Sequence, residues 1–175
     1  MTITAVPALA TRHLTIAFTD LEDFTAYTEA EGDAAASRLL IGHQREAVSI
    51  VRGRGGCVLK RLGDGLMLTF PAPEAAVLAC LELVEAAPLR LRAGIHGGEV
   101  LLAGDDVMGH VVNLAARVMG SADGGELVVT DQVRWAVGDL RAVAFDGPYT
   151  RKFKGIEQTV PVYVASARPC SGFSP

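Results

Sequence analysis

Gly63-Asp64-Gly65 lies between two apolar runs, Cys57–Leu62 and Leu66–Phe70. Asp-Gly tolerates the positive φ of a tight primed turn, so the segment predicts a β-hairpin. A hairpin rules out a purely parallel sheet. The surrounding periodicities predict the rest. His13–Asp20 reads as a buried strand. A helix starts at Phe24, breaks near Gly32 and resumes from Asp33, its predicted N-cap, to about Arg52. Pro73–Ala87 and Val111–Met119 read as helices, and Leu89–Val100 and Glu126–Thr130 as strands. Two further strands flank Lys154, the last over Val160–Ala165. The expected architecture is α+β, with helices on one face of an antiparallel-containing sheet.

The chain has 175 residues, half of them apolar, enough for one domain with a core that needs no staples. Cys57, Cys80 and Cys170 are odd in number and lack CxxC spacing, which points to a reducing, cytoplasmic setting and away from zinc. A net charge of −4 gives no support to nucleic-acid binding, while Lys60-Arg61 and Arg151, Lys152 and Lys154 form local clusters suited to a compact anion. The small residues of MTITAVPALA lack the basic leader of a cleavable signal, and no run reaches the roughly 20 apolar residues of a membrane span. Residues 1–12 are expected to be a flexible leader and 166–175 a flexible tail, with one domain over 13–165.

Three groups of side chains could carry chemistry. Asp20 ends a buried strand just before a helix, where it could cap that helix or stand beside N–H groups able to hold phosphate. Asp64 sits at the hairpin tip, as plain turn chemistry or as a second carboxylate. If the two converge they repel each other unless a cation lies between them, and hard oxygen ligands suit Mg²⁺ or Mn²⁺. Asn113 and Arg117, four apart on an otherwise apolar helix, share one face, and Arg117 offers fixed donors to phosphate oxygens.

Five ordered blocks join these groups: FTDLEDFT (18–25), KRLGDGLMLTF (60–70), RAGIHGGEV (92–100), DVMGHVVNLAAR (106–117) and FKGIEQTVPVY (153–163). Together they resemble the catalytic domain of class III adenylyl cyclases of the bacterial single-domain type. The resemblance implies the nucleotidyl cyclase fold, a ferredoxin-like, palm-type sheet. It implies that Asp20, Asp64 and the Leu21 carbonyl hold two divalent ions, Mg²⁺ or Mn²⁺. The backbone of Leu21–Thr25, with Phe24 and Thr25, would receive the triphosphate of ATP. Lys60 and Asp106 would read adenine, Asn113 would position the ribose, Arg117 would stabilise the transition state, and Lys154 would meet the terminal phosphates.

In this family two domains pair head to tail, one giving the metal carboxylates and the other Lys60, Asp106, Asn113, Arg117 and Lys154. One chain carrying both halves implies a homodimer with two equivalent sites. The apolar face of the Asp33–Arg52 helix is expected either at that contact or on the sheet. Asp23 stands where the family carries glycine, Met108 where an aromatic is frequent, and His110 where a small or acidic residue is usual. His96 matches a strand histidine with no assigned role. Two rival functions remain open. A guanylyl cyclase would carry Glu and Cys in place of Lys60 and Asp106. A catalytically silent nucleotide-binding or dimerisation module would lack one or more of the matched groups.

Overall fold

The computed structural model describes residues 10–169. The expected leader up to residue 9, Cys170 and the rest of the tail lie outside the described residues. The elements run β1 (Thr11–Leu21), α1 (Phe24–Glu31), α2 (Asp33–Gly53), β2 (Cys57–Leu62), β3 (Gly65–Phe70), α3 (Pro73–Ala86), β4 (Leu91–Ala103), β5 (Asp106–Met108), α4 (His110–Met119), β6 (Leu127–Thr130), α5 (Asp131–Val137), β7 (Val143–Arg151) and β8 (Val160–Ala167). β1 therefore includes the last two residues of the expected leader, and β8 includes Ser166 and Ala167 of the expected tail.

The strands form one sheet in the order β2-β3-β1-β4-β6-β8-β7, with β5 folded onto β4. Only β4 and β6 run parallel; every other described pairing is antiparallel. β1 and β4 form the centre, in register from Thr11↔Leu101 to Leu21↔Leu91. The β2–β3 hairpin closes with Leu62↔Gly65 across the turn that holds Asp64, and Gly63 there takes a positive φ of 66°.

Helices cover both faces of the sheet, not one. β1 explains this, because its apolar side chains point both ways. Ala17 and Leu21 join a core cluster with α2, α3 and α5, through Ala47, Val51, Val77, Leu83 and Val133. Leu14, Ile16 and Phe18 join a second cluster with Val111 and Ala115 of α4. α4 continues over β6 and β8 through Leu114 and Val118, where Phe153 packs against it. Glycines on β4 let α4 sit directly on the strand: a Cβ at Gly94 would lie 2.7 Å from the Val118 carbonyl carbon and nearer still to Met119 N.

The apolar face of α2 is spent on the sheet. Ala36, His43, Ala47 and Val51 are buried on this helix, and Leu39 and Ile50 pack on the core, whereas Ile41 is half exposed. The cap of α2 is Gly32, with φ 83°, which places Asp33 in the first helical turn. There its charge still faces the positive end of the helix dipole.

Candidate active site

Asp20 is the penultimate residue of β1, and Asp64 is carried by the neighbouring hairpin. Close approach of the two segments depends on Gly65, where a Cβ would lie 2.6 Å from the Thr19 carbonyl oxygen and 3.4 Å from Asp20 Oδ1. Burial pushes the Asp64 carboxyl above its ordinary pKa, and the Asp20 carboxylate beside it pushes the same way; backbone N–H groups of Asp64 and Leu21 oppose the rise. The two acids thus converge at one end of the sheet.

Both acids line a cavity of about 580 Å³ with Leu21, Glu22, Asp23, Phe24, Thr25, Ala26, Glu29 and Arg92. Most of its charge is acidic. Asp23, at the N-cap of α1, has φ 60° and ψ 20°, the only non-glycine positive φ among the described residues. Aspartate tolerates this left-handed conformation better than most residues, which is how it can stand in a glycine position.

Two arginines hold this end of β1, and neither was anticipated from the sequence. Arg92 lies opposite Asp20 in the β1–β4 register and donates from Nε at 3.0 Å and from Nη2 at 2.6 Å to Asp20 Oδ2. Arg90 pairs with Glu22 at 3.2 Å and donates to the Gly124 carbonyl, while the Gly124 N–H donates to Glu22. The available sequence signal was Arg-Leu-Arg at a strand start. It becomes informative only once the register sets those arginines opposite Asp20 and Glu22.

Two carboxylates facing each other across a strand end form a donor set that suits a small, hard divalent cation, which would relieve their repulsion. Among the described residues no three His, Cys, Asp or Glu side chains converge, so such a cation would complete its shell with the Leu21 carbonyl, water or a bound ligand.

The other matched residues form separate groups. Lys60 Nζ and Asp106 Oδ2 are 2.6 Å apart, an exposed ion pair across 46 positions of sequence. The Lys60 ammonium, and then the Val107 N–H, hold the Asp106 carboxyl below the ordinary range. Asn113 and Arg117 are exposed on α4. The Arg117 guanidinium reaches the loop after β7, where a Cβ at Gly155 would lie 3.8 Å from Nη2. Phe153 anchors that loop, and Lys154 stands exposed on it beside a cavity of about 650 Å³. None of Lys60, Asp106, Asn113, Arg117 or Lys154 lines the cavity of Asp20 and Asp64.

His96 is buried on β4, with Nδ1 2.9 Å from Thr130 Oγ1 and its ring centroid 6.4 Å from that of His110. Burial, and then the charge of His110, take its pKa down to about 4, so it is neutral near pH 7.

This chain belongs to the adenylate and guanylate cyclase catalytic domain family, whose model matches residues 6–146. It is 37% identical over 142 residues to an uncharacterized protein of Mycobacterium tuberculosis, covering 78% of this chain and 37% of that one. It is 32% identical over 169 residues to a pH-sensitive adenylate cyclase of the same species, covering 90% of this chain and 41% of that one. The chain thus spans about two fifths of the length of these relatives. Its fold matches the guanylyl cyclase Cya2 with a TM-score of 0.81 at 22% identity, over 93% of this chain and 96% of that one. It matches the adenylyl cyclase CyaB from P. aeruginosa with a TM-score of 0.78 at 21% identity, over 93% and 98%. Enzymes named for either base share this fold, so the base has to be argued from side chains.

Proposed function

We propose that this chain is an adenylyl cyclase, converting ATP to 3′,5′-cyclic AMP and pyrophosphate in a cytoplasmic homodimer whose sites are shared between the two copies. The observation that carries this assignment is the convergence of Asp20 and Asp64 in the lining of the acidic cavity.

In the reaction the ribose 3′-oxygen bonds to the α-phosphorus, the bond from that phosphorus to the bridging oxygen breaks, and pyrophosphate leaves with the electron pair. The hydroxyl proton passes to solvent. Asp20, Asp64 and the Leu21 carbonyl would hold two Mg²⁺ or Mn²⁺ ions, which lower the pKa of the hydroxyl and draw charge from the phosphoryl oxygens. Backbone N–H groups at the start of α1, around Phe24 and Thr25, receive the triphosphate. Asn113 fixes the ribose. Arg117 meets the charge that builds on the α-phosphoryl oxygens, and Lys154 meets the terminal phosphates.

Lys60, Asp106, Asn113, Arg117 and Lys154 would come from the second copy. Their absence from the lining of the carboxylate cavity supports a site completed by a partner. Lys60 donates to adenine N1 and Asp106 accepts from the 6-amino group. Guanine reverses both requirements, presenting an N1 donor and a carbonyl, so this pair favours ATP.

Purified chain assayed with Mn²⁺ and either ATP or GTP tests the assignment. Cyclic AMP formed faster than cyclic GTP is expected, with specific activity that rises with protein concentration as dimers form. Asp20→Ala and Asp64→Ala are expected to stay folded and lose almost all turnover. A preference for GTP would make the chain a guanylyl cyclase, and no product from either nucleotide would leave a silent nucleotide-binding module.

A further inference from the structure

Arg90, just before β4, and Arg92, on it, treat Glu22 and Asp20 differently. Arg90 bridges Glu22 and the Gly124 carbonyl and so ties loop to loop. Arg92 places both of its donors, Nε at 3.0 Å and Nη2 at 2.6 Å, on the single atom Asp20 Oδ2. The other oxygen, Oδ1, faces the hairpin, with an ideal Gly65 Cβ position 3.4 Å away. Asp20 is therefore divided. One oxygen is held by a guanidinium and the other is turned toward the segment that carries Asp64.

Among the described residues, Arg92 is also the one cationic side chain lining the acidic cavity. The pair is half-buried, with side-chain exposures of 35% for Arg92 and 24% for Asp20, so water screens it less than a surface pair. A divalent ion bound at Oδ2 would meet the guanidinium head on, and like charges at that range exclude each other.

Building on the two-cation assignment of Asp20 and Asp64, we infer that Arg92 is a positioning residue that holds one oxygen of Asp20 in the free chain and must surrender it before that carboxylate can serve two cations. The first cation reaches Oδ1 and Asp64 with Arg92 still in place. The second waits on release of the guanidinium. A pair closed about nine-tenths of the time would lower the apparent affinity for the second cation about tenfold below its intrinsic value.

The test is titration of the whole chain with Mn²⁺ alone, following the six-line electron paramagnetic resonance signal of the free ion. Two unequal sites are expected in the wild type. Arg92→Gln is expected to tighten the weaker site about tenfold. Arg90→Gln removes a charge two residues away, just before β4, without touching Asp20, and it is expected to shift that site by less than about twofold. If the glutamine variant does not fold, Arg92→Met preserves the bulk and serves instead. Superimposable isotherms for wild type and the Arg92 variant, or equal tightening by the Arg90 variant, overturn the role of Arg92. Mn²⁺ binding that Asp20→Asn leaves unchanged in both backgrounds overturns the cation assignment itself, and the role of Arg92 with it.

Discussion

Gly94→Ala is the substitution that most directly links the fold of this chain to its chemistry. Gly94 lies on β4 under the last turn of α4, and the added methyl would sit 2.7 Å from the Val118 carbonyl carbon. Clearing that atom to an ordinary 3.4 Å takes about 0.7 Å, and the closer Met119 backbone nitrogen needs about twice that, so the helix end must rise by more than about 1 Å. Backbone cannot rotate aside as a side chain can. Overpacking of this kind costs about 3 kcal/mol, because α4 buries Val111, Leu114, Ala115 and Val118 on the sheet. For a chain of this size that lowers the thermal midpoint by about 6–12 °C. The same rise carries Arg117, two residues from the collision, away from the position that its proposed transition-state role requires. A displacement near 1 Å costs on the order of 100-fold in turnover. Gly98→Ala is the control: its methyl meets a side chain, Val111 Cγ2 at 2.7 Å, and is expected to cost about 1 kcal/mol. Urea unfolding gives the stability, and cyclic AMP formation well below both midpoints gives the turnover. A Gly94→Ala protein within about 0.5 kcal/mol of wild type and fully active would show that α4 does not rest on β4 in this way.

Three other outcomes are expected. His96, with its pKa lowered to about 4, stays neutral in the folded chain while the unfolded chain takes up a proton near pH 6.5, so stability falls as pH drops through that window. About 2 kcal/mol is lost between pH 7 and pH 5, and His96→Asn should flatten the slope; equal slopes in urea melts would count against it. Asp64→Asn removes a carboxylate that burial and Asp20 disfavour, so it should abolish turnover while raising stability slightly; a lower melting midpoint would contradict this. Asp106→Ala removes the proposed acceptor for the adenine amino group and should lower kcat/KM for ATP about tenfold, mainly through KM; an unchanged KM would remove Asp106 from base reading.

The hairpin, the long helices and the central strands were legible because turn chemistry and periodicity are local. The second layer was not, since β1 is apolar at every position from Leu14 to Phe18 except Thr15 and its alternation hides which side is covered. β5, with three residues, and α5, with seven, are too short to leave a periodic signal. Asp33 looked like a cap because aspartate caps well, but the preceding Gly32 supplies the positive φ that the junction needs. The proposed site residues were picked out by their order in the chain. Arg92 was not, because its link to Asp20 spans 72 positions and exists only through the β1–β4 register.

Lys60 and Asp106 neutralise each other when no base is present, at 2.6 Å. In the proposed base-reading role, an incoming base must separate them, and it recovers that loss only by offering a proton acceptor to one and a proton donor to the other at the same time. A base that satisfies a single member strands an ammonium or a carboxylate without its counterpart. Discrimination at this point is then a penalty against wrong guests at least as much as an attraction for the right one.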